Sequence, residues 1–127
     1  MSQSTHLSLP FLAAAQAQKH VTVNETLLRL DALVHLSAKS ATTSTQPASP
    51  SDGDIYLLPA SKTGAAWGAM ASGAIAYYRD GVWEELAPNP GWRCYVADDA
   101  ALYARNASAW KRIAAEQDHR LIFTPGG

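Results

Sequence analysis

Ile75-Ala76-Tyr77-Tyr78-Arg79-Asp80-Gly81-Val82-Trp83-Glu84-Glu85-Leu86 sets two β-rich runs on either side of Asp80-Gly81. That dipeptide suits a two-residue type I′ turn, in which both central residues take positive φ. A loop of that length fixes the register: Arg79 faces Val82, Tyr78 faces Trp83, Tyr77 faces Glu84 and Ile75 faces Leu86. Tyr78 and Trp83 then form a cross-strand aromatic pair, which adds about 0.5–1.5 kcal/mol beyond the area it buries.

Moving toward the C-terminus, Pro88-Asn89-Pro90-Gly91 is a proline turn, and Trp92, Cys94 and Val96 alternate with Arg93, Tyr95 and Ala97 as a third strand. Asp98-Asp99 turns the chain into Leu102-Tyr103-Ala104-Arg105, and Asn106-Ala107-Ser108 turns it again into Trp110-Lys111-Arg112-Ile113. The second hairpin echoes the first, with Tyr before the turn and Trp after it. Two copies are too few for a solenoid and imply a small antiparallel β-meander or open barrel of roughly five or six strands.

Moving toward the N-terminus, Asp52-Gly53-Asp54 is a turn and Ile55-Tyr56-Leu57-Leu58 a short buried strand, followed by a long loop from Ala60 to Gly73 with Trp67 as its one aromatic anchor. Ser37 to Gly53 has the Ser, Thr, Ala and Pro content of an extended connector, where a hinge or an edge strand belongs. Leu12 to His20 reads as a short helix after Pro10. A second helix is capped by Thr22 or Asn24, with Glu25 in its first turn and Val23, Leu27, Leu30 and Val34 recurring at intervals of three and four. So wide an apolar stripe has to be covered, either by the chain's own sheet or by copies of itself meeting on Leu27, Leu30 and Val34. The expectation is an α+β fold with two short N-terminal helices ahead of a meander or open barrel of aromatic hairpins. Residues 1–36 form a helical attachment or oligomerisation segment, 37–53 a connector, 54–113 the β-hairpin domain and 114–127 an extension.

Ten basic and eleven acidic residues are scattered through the 127 without a block of like charge, so neither nucleic acid nor an anionic membrane surface finds a basic footprint. No run approaches the roughly 18 apolar residues of a membrane span, and no basic region precedes a long apolar stretch as in a signal peptide. Made in the cytoplasm without a signal peptide is the expectation. Cys94 is the only cysteine, which rules out an intrachain disulfide and leaves stability to packing or oligomerisation. Much of the 47% apolar content is alanine, so the four Trp and five Tyr have to supply much of the core.

Leu9-Pro10, the run Ala13-Ala14-Ala15-Gln16-Ala17-Gln18-Lys19-His20-Val21-Thr22, Asn24-Glu25 and Leu30-Asp31-Ala32-Leu33 together make a distributed signature. With them go Pro50-Ser51-Asp52-Gly53-Asp54 and Tyr56, Asp80-Gly81 and Trp83, Pro90-Gly91-Trp92 and Val96, and Trp110. Over residues 9 to 113 the chain resembles a family of uncharacterised domains found in tail-fibre and related tail proteins of alphaproteobacterial phages and gene transfer agents. The Gln-Ala-Gln-Lys-His run is its most specific piece, because no folding rule demands that order. Asn106-Ala107-Ser108 departs from the pattern, which would place glycine there, and points to a longer loop. Such domains continue beyond this point, so the resemblance reads the Pro125-Gly126-Gly127 end as that of a fragment or of a short version. It implies a virion component of a tail fibre, commonly trimeric, in contact with other tail proteins and with host-surface glycan, and it implies no cofactor.

The residues hold no nucleophile elbow, no His-Glu-x-x-His, no paired Cys ligands and no phosphate-cradling glycine loop, so no enzyme activity is expected. His6, His20, His35 and His119 are too widely spaced for a ligand set. Glu84-Glu85 and Asp98-Asp99 place adjacent carboxylates on opposite strand faces, and Asp52-Gly53-Asp54 lacks the remaining ligands of a calcium loop. The aromatics remain. Trp and Tyr faces stack on sugar rings, which makes Trp67, Trp83, Trp92, Trp110, Tyr78, Tyr95 and Tyr103 the candidate platforms of a carbohydrate-binding module, with Trp67, Tyr95 and Tyr103 put first as its glycan contacts, while the same rings are also needed in the core. Trp67, alone in its loop, is expected to be the most exposed.

Overall fold

The structure is a computed structural model that describes residues 3–10 and 19–115. It divides after His35 into two compact units.

The first unit contains α1 (Lys19–Leu33). It is one continuous helix where two were expected: there is no break around Thr22 and Asn24, and neither residue begins a helix. Neither Gly nor Pro occurs between Lys19 and Leu33, and β-branched Val21, Thr22 and Val23 cost only fractions of a kcal/mol each in a helix, against about 3 for proline. Of the helix expected over Leu12–His20, Leu12 to Gln18 lie outside the described residues, and Lys19 and His20 belong to α1. The helix ends as His35 turns into the left-handed region at φ 55. No described helix is long and apolar enough to cross a membrane.

Residues 3–10 form a loop closed by a bridge between Gln3 and Pro10 and centred on a side chain of α1. Asp31 is 1% exposed. Its carboxylate accepts hydrogen bonds from Ser4 Oγ at 2.5 Å, from the His6 amide at 2.8 and 3.0 Å, and from the Leu7 amide. Ser4 Oγ in turn accepts from the Leu9 amide at 2.9 Å. The acid at 31 thus holds the loop at residues 3–10.

The second unit is built from seven strands: β1 (Ser37–Ala38), β2 (Ile55–Leu57), β3 (Ile75–Arg79), β4 (Val82–Leu86), β5 (Arg93–Val96), β6 (Ala101–Arg105) and β7 (Trp110–Ala115). The β3–β4 register is the one read from the turn: Arg79 faces Val82, Tyr78 faces Trp83, Tyr77 faces Glu84 and Ile75 faces Leu86. Asp80 and Gly81 take φ of 52 and 81, as a type I′ turn requires.

The expected single meander or open barrel is replaced by two sheets, of order β2-β3-β4 and β1-β5-β6-β7. The two hairpins therefore belong to different sheets, and β1 pairs with β5 in parallel. Alternation and turn chemistry report contacts between neighbours in the chain, whereas a parallel partner from a distant segment leaves no local signal. The meander stops at the proline turn after β4, and β5 takes β6 and β1 as partners instead.

Ser37 to Ser40 joins the two sheets. On one side Tyr95, Ala97 and Asp98 donate their amides to the carbonyls of Leu36, Ala38 and Lys39 at 2.8–3.2 Å. On the other, Lys39 donates to the Ile55 carbonyl at 2.8 Å and Leu57 to the Ser40 carbonyl at 3.0 Å. The rest of the Ser/Thr/Pro-rich stretch is tied down as well. Buried Ser40 Oγ accepts from the Thr42 and Thr43 amides, and the Gln46 amide donates to the Thr63 carbonyl.

Around the three-stranded sheet the core is aromatic. Trp67, at the start of a short 3₁₀ helix (Trp67–Ala69), lies within 5.2 Å of Tyr56 and 5.3 Å of Trp83 between ring centroids, and Trp83 lies 5.0 Å from Tyr78. Leu58, Ala74 and Ala76 complete this cluster, and strand alternation sends Ile55, Leu57, Ile75 and Tyr77 to the opposite, equally buried face. Gln46 positions the 3₁₀ helix, because its Oε1 accepts from the Ala66 and Trp67 amides at 2.8 and 3.0 Å.

Gln46→Ala strands those two amides next to the Trp67 cluster and should cost roughly 1–3 kcal/mol in urea unfolding followed by tryptophan fluorescence. For Asp31, burial alone would raise the carboxyl, but the bonds from Ser4, His6 and Leu7 favour its charged form and leave it below its ordinary 3.8. Its stabilising contribution is therefore complete above pH 3.8 and lost only as the pH falls through the lower folded value. Amide NMR shifts of His6 and Leu7 should hold steady to below pH 3.8 and then move together. Asp31→Asn should remove that acid step and cost on the order of 2–3 kcal/mol at neutral pH.

Candidate functional site

Within the second unit, the strands of the two sheets and the loops beside them enclose a half-open cleft of about 250 Å³. The three-stranded sheet contributes Leu57 with Leu58 and Pro59, and the loop before β3 contributes Ser72 and Gly73. Ala41 and Thr42 follow the shared strand. The β6–β7 hairpin contributes Tyr103, Ser108, Ala109 and Trp110.

The β6–β7 turn explains why Tyr103 and Trp110 both reach the cleft. Arg105 faces Trp110 across a four-residue loop, in which Asn106 Oδ1 accepts from the Ser108 and Ala109 amides at 2.8 Å each. This is the longer loop that the missing glycine implied. That loop sets Tyr103 opposite Arg112 and not opposite Trp110, and the register shifts only beyond this pair, between Leu102 and Tyr103. The echo of the Tyr78–Trp83 pair is thus one of sequence alone. Alternation places Tyr103, Arg105, Trp110 and Arg112 on one face of the sheet.

The polar tip of each aromatic is fixed. Trp110 Nε1 donates to the Gly73 carbonyl at 2.8 Å, and Arg105 Nη1 donates to the same oxygen at 3.3 Å. Tyr103 donates its hydroxyl to Asp99 Oδ2 at 2.8 Å, and Arg112 Nε holds that oxygen at 3.1 Å. Burial, then the hydrogen bond to Asp99 and its charge, push the Tyr103 phenol up, so it stays protonated at neutral pH. Gly73 has φ +81, and a Cβ there would lie 2.5 Å from Arg105 Nη1. The positive φ favours glycine here, and a side chain would also make the flexible Arg105 guanidinium shift.

Of the three aromatics expected to contact glycan, the structure brings none together with another. Trp67, expected to be the most exposed, is 0% exposed and sits in the Tyr56–Trp83 cluster. The Gly- and Ala-rich sequence around it looks like an open loop, but Gln46 pins that loop and turns Trp67 inward. Tyr95 is half-buried and pairs with Leu102 and Ser37, on the sheet face opposite Tyr103. Tyr103 does line the cleft, and its aromatic companion is Trp110, absent from the expected trio. The Asn106 turn is the one signal for it in the sequence, and a four-residue loop fixes no pairing by itself.

Leu27 is half-buried, while Leu30 and Val34, one helical turn apart, are 48% and 42% exposed. Cys94 is buried, and burial pushes its thiol up to about 12, which suits a small core residue. Among the described residues no cluster of three or more His, Cys, Asp or Glu side chains is placed to hold a metal ion.

Residues 23–111 match the family DUF2793, described as a protein of unknown function. No curated protein matches the chain significantly.

Gly73→Ala should destabilise the second unit by roughly 1–2 kcal/mol through its left-handed backbone alone. It should also shift the Trp110 indole N–H resonance in a proton–nitrogen NMR spectrum, because the Gly73 carbonyl is that donor's acceptor. An unmoved indole signal would contradict the geometry above.

Proposed function

The chain belongs to the DUF2793 family, whose description assigns no activity, and we propose, from the resemblance of its segments to tail-protein domains and from an exposed apolar pair, that it is a structural component of a phage-type tail fibre. It is made in the bacterial cytoplasm and assembles in the virion with other tail proteins, as a homo-oligomer of which a trimer is the expected form. The observation that carries this reading is the pair Leu30, in the last turn of α1, and Val34, just beyond its end, which the single chain leaves 48% and 42% exposed. Leu7, on the loop held by Asp31, is a further exposed apolar side chain of the same unit. Large apolar side chains grouped in this way are better covered in an assembly than left in water. The resemblance of the segments around them to tail-protein domains supports the location.

A second reading, a carbohydrate-binding module for host surface polysaccharide, is favoured by the cleft that Tyr103 and Trp110 share. The two readings are compatible, since a fibre component can also carry the contact to the host.

Multi-angle light scattering on the purified chain should give a trimer mass at micromolar concentration, and Leu30→Glu with Val34→Glu should reduce it to a monomer with unchanged circular dichroism. A monomer for the unaltered chain at every concentration would count against the assembly reading. Retention of host capsule or lipopolysaccharide on the immobilised protein tests the second.

A further inference from the structure

Resting on the glycan reading, we infer that the cleft is a subsite for a single uncharged sugar ring. Four observations carry this.

The first is charge. Every side chain that lines the cleft is uncharged at neutral pH, Tyr103 included. A carboxylate, phosphate or ammonium ligand would find no charged side chain in the lining to pair with, since the nearest ones, Arg105, Asp99 and Arg112, are already engaged with Gly73, Tyr103 and each other. That selects a neutral hexose over a uronic or sialic acid.

The second is size. About 250 Å³ falls below the roughly 300–1,000 Å³ of sites for drug-sized ligands, and so takes one ring and not an extended oligomer. The half-open form lets the next residue of a polysaccharide leave toward solvent.

The third is the mixture of walls. A pyranose has apolar C–H faces and a rim of hydroxyls, and the lining offers both complements. Tyr103, Trp110, Leu57 and Leu58 supply apolar surface, while Thr42, Ser72 and Ser108 supply hydroxyls that both donate and accept.

The fourth is preorganisation. Trp110 is held by the Gly73 carbonyl, and Tyr103 by Asp99, itself held by Arg112. Neither ring has to be ordered when a ligand arrives, which removes a cost that flexible aromatic side chains would carry.

The test is a proton–nitrogen NMR titration of the full chain with methyl β-glucoside, methyl β-galactoside and methyl α-mannoside, with glucuronate and N-acetylneuraminate as charged comparators. At least one neutral glycoside should cause saturable shifts at the Gly73 amide and the Trp110 indole N–H, with a millimolar Kd. The charged sugars should bind at least about fivefold more weakly. Trp110→Ala should weaken binding by about tenfold or more. Because that variant loses a tie between the loop before β3 and the β6–β7 hairpin, Ser72→Phe provides the independent check. Ser72 is exposed and outside every strand, so its ring fills the cleft without removing a structural contact.

Absence of saturable shifts with every neutral glycoside, tighter binding of a charged sugar, or binding that Ser72→Phe leaves intact would each overturn the inference. Failure here is distinct from failure of the glycan reading. Retention of surface polysaccharide that Ser72→Phe leaves unchanged would preserve that reading and refute the cleft. Glycosides bound in the cleft without retention of any surface polysaccharide would do the reverse.

Discussion

The two-sheet unit depends on a short piece of extended backbone, Ser37 to Ser40, that serves both sheets. Its first half continues the β5-β6-β7 sheet by parallel pairing, and its second half hydrogen-bonds to β2. A two-residue strand at an open edge is worth little alone. Here it is fixed from both sides by five backbone hydrogen bonds of 2.8–3.2 Å, and by Ser40 turning the chain away at its end. A slip of one residue would exchange buried Ala38 and Ser40 for exposed Ser37 and Lys39, and would break the pairing with both sheets together. The register of one sheet is in this way coupled to that of the other.

Around that seam, an alanine-rich chain has little apolar volume, and its aromatics divide the work. Trp67, Tyr56, Trp83 and Tyr78 stack beside the three-stranded sheet, at centroid separations of 5.0–6.0 Å that suit tilted and edge-to-face rings. Burying Trp67 completely leaves its indole Nε1 without a hydrogen-bond partner. Such an atom costs roughly 1–3 kcal/mol, so the apolar burial and ring stacking of Trp67 must outweigh that amount. Trp110 makes the other choice. It is half-buried and directs its N–H to Gly73, tying the β6–β7 hairpin to the loop that leads into β3.

What can be read from sequence follows the range of the interaction responsible. Asp80-Gly81 determines its own turn and, through loop length, every pair from Arg79–Val82 to Ile75–Leu86. The alternation of Cys94 and Val96 with Arg93 and Tyr95 likewise gives the buried face of β5. The helix boundary is not legible in the same way, because capping-type residues at Thr22 and Asn24 are tolerated inside a helix when no Gly or Pro enforces a stop. Trp67 escapes sequence reading for a different reason. Its burial depends on Gln46, some twenty residues away, reaching its amide, and composition cannot register such a contact. The single buried acid of α1, Asp31, looks in sequence like any polar position on a helix, although its partners lie in residues 4–9.

The cleft is the clearest case of a feature that no single segment encodes. Tyr103 and Trp110 come from one hairpin, but without Gly73 their walls would face open solvent, and Gly73 belongs to the loop of the other sheet. Glycine is favoured there by φ +81, and its carbonyl is shared by Arg105 Nη1 and Trp110 Nε1. Had the chain formed one continuous meander, β4 and β5 would have stood side by side between β3 and β6, and the β6–β7 hairpin would not have met the loop before β3. The division into two sheets and the existence of a cleft are therefore one structural event. The proline turn after β4, which ends the meander, is as much a determinant of the site as the side chains that line it.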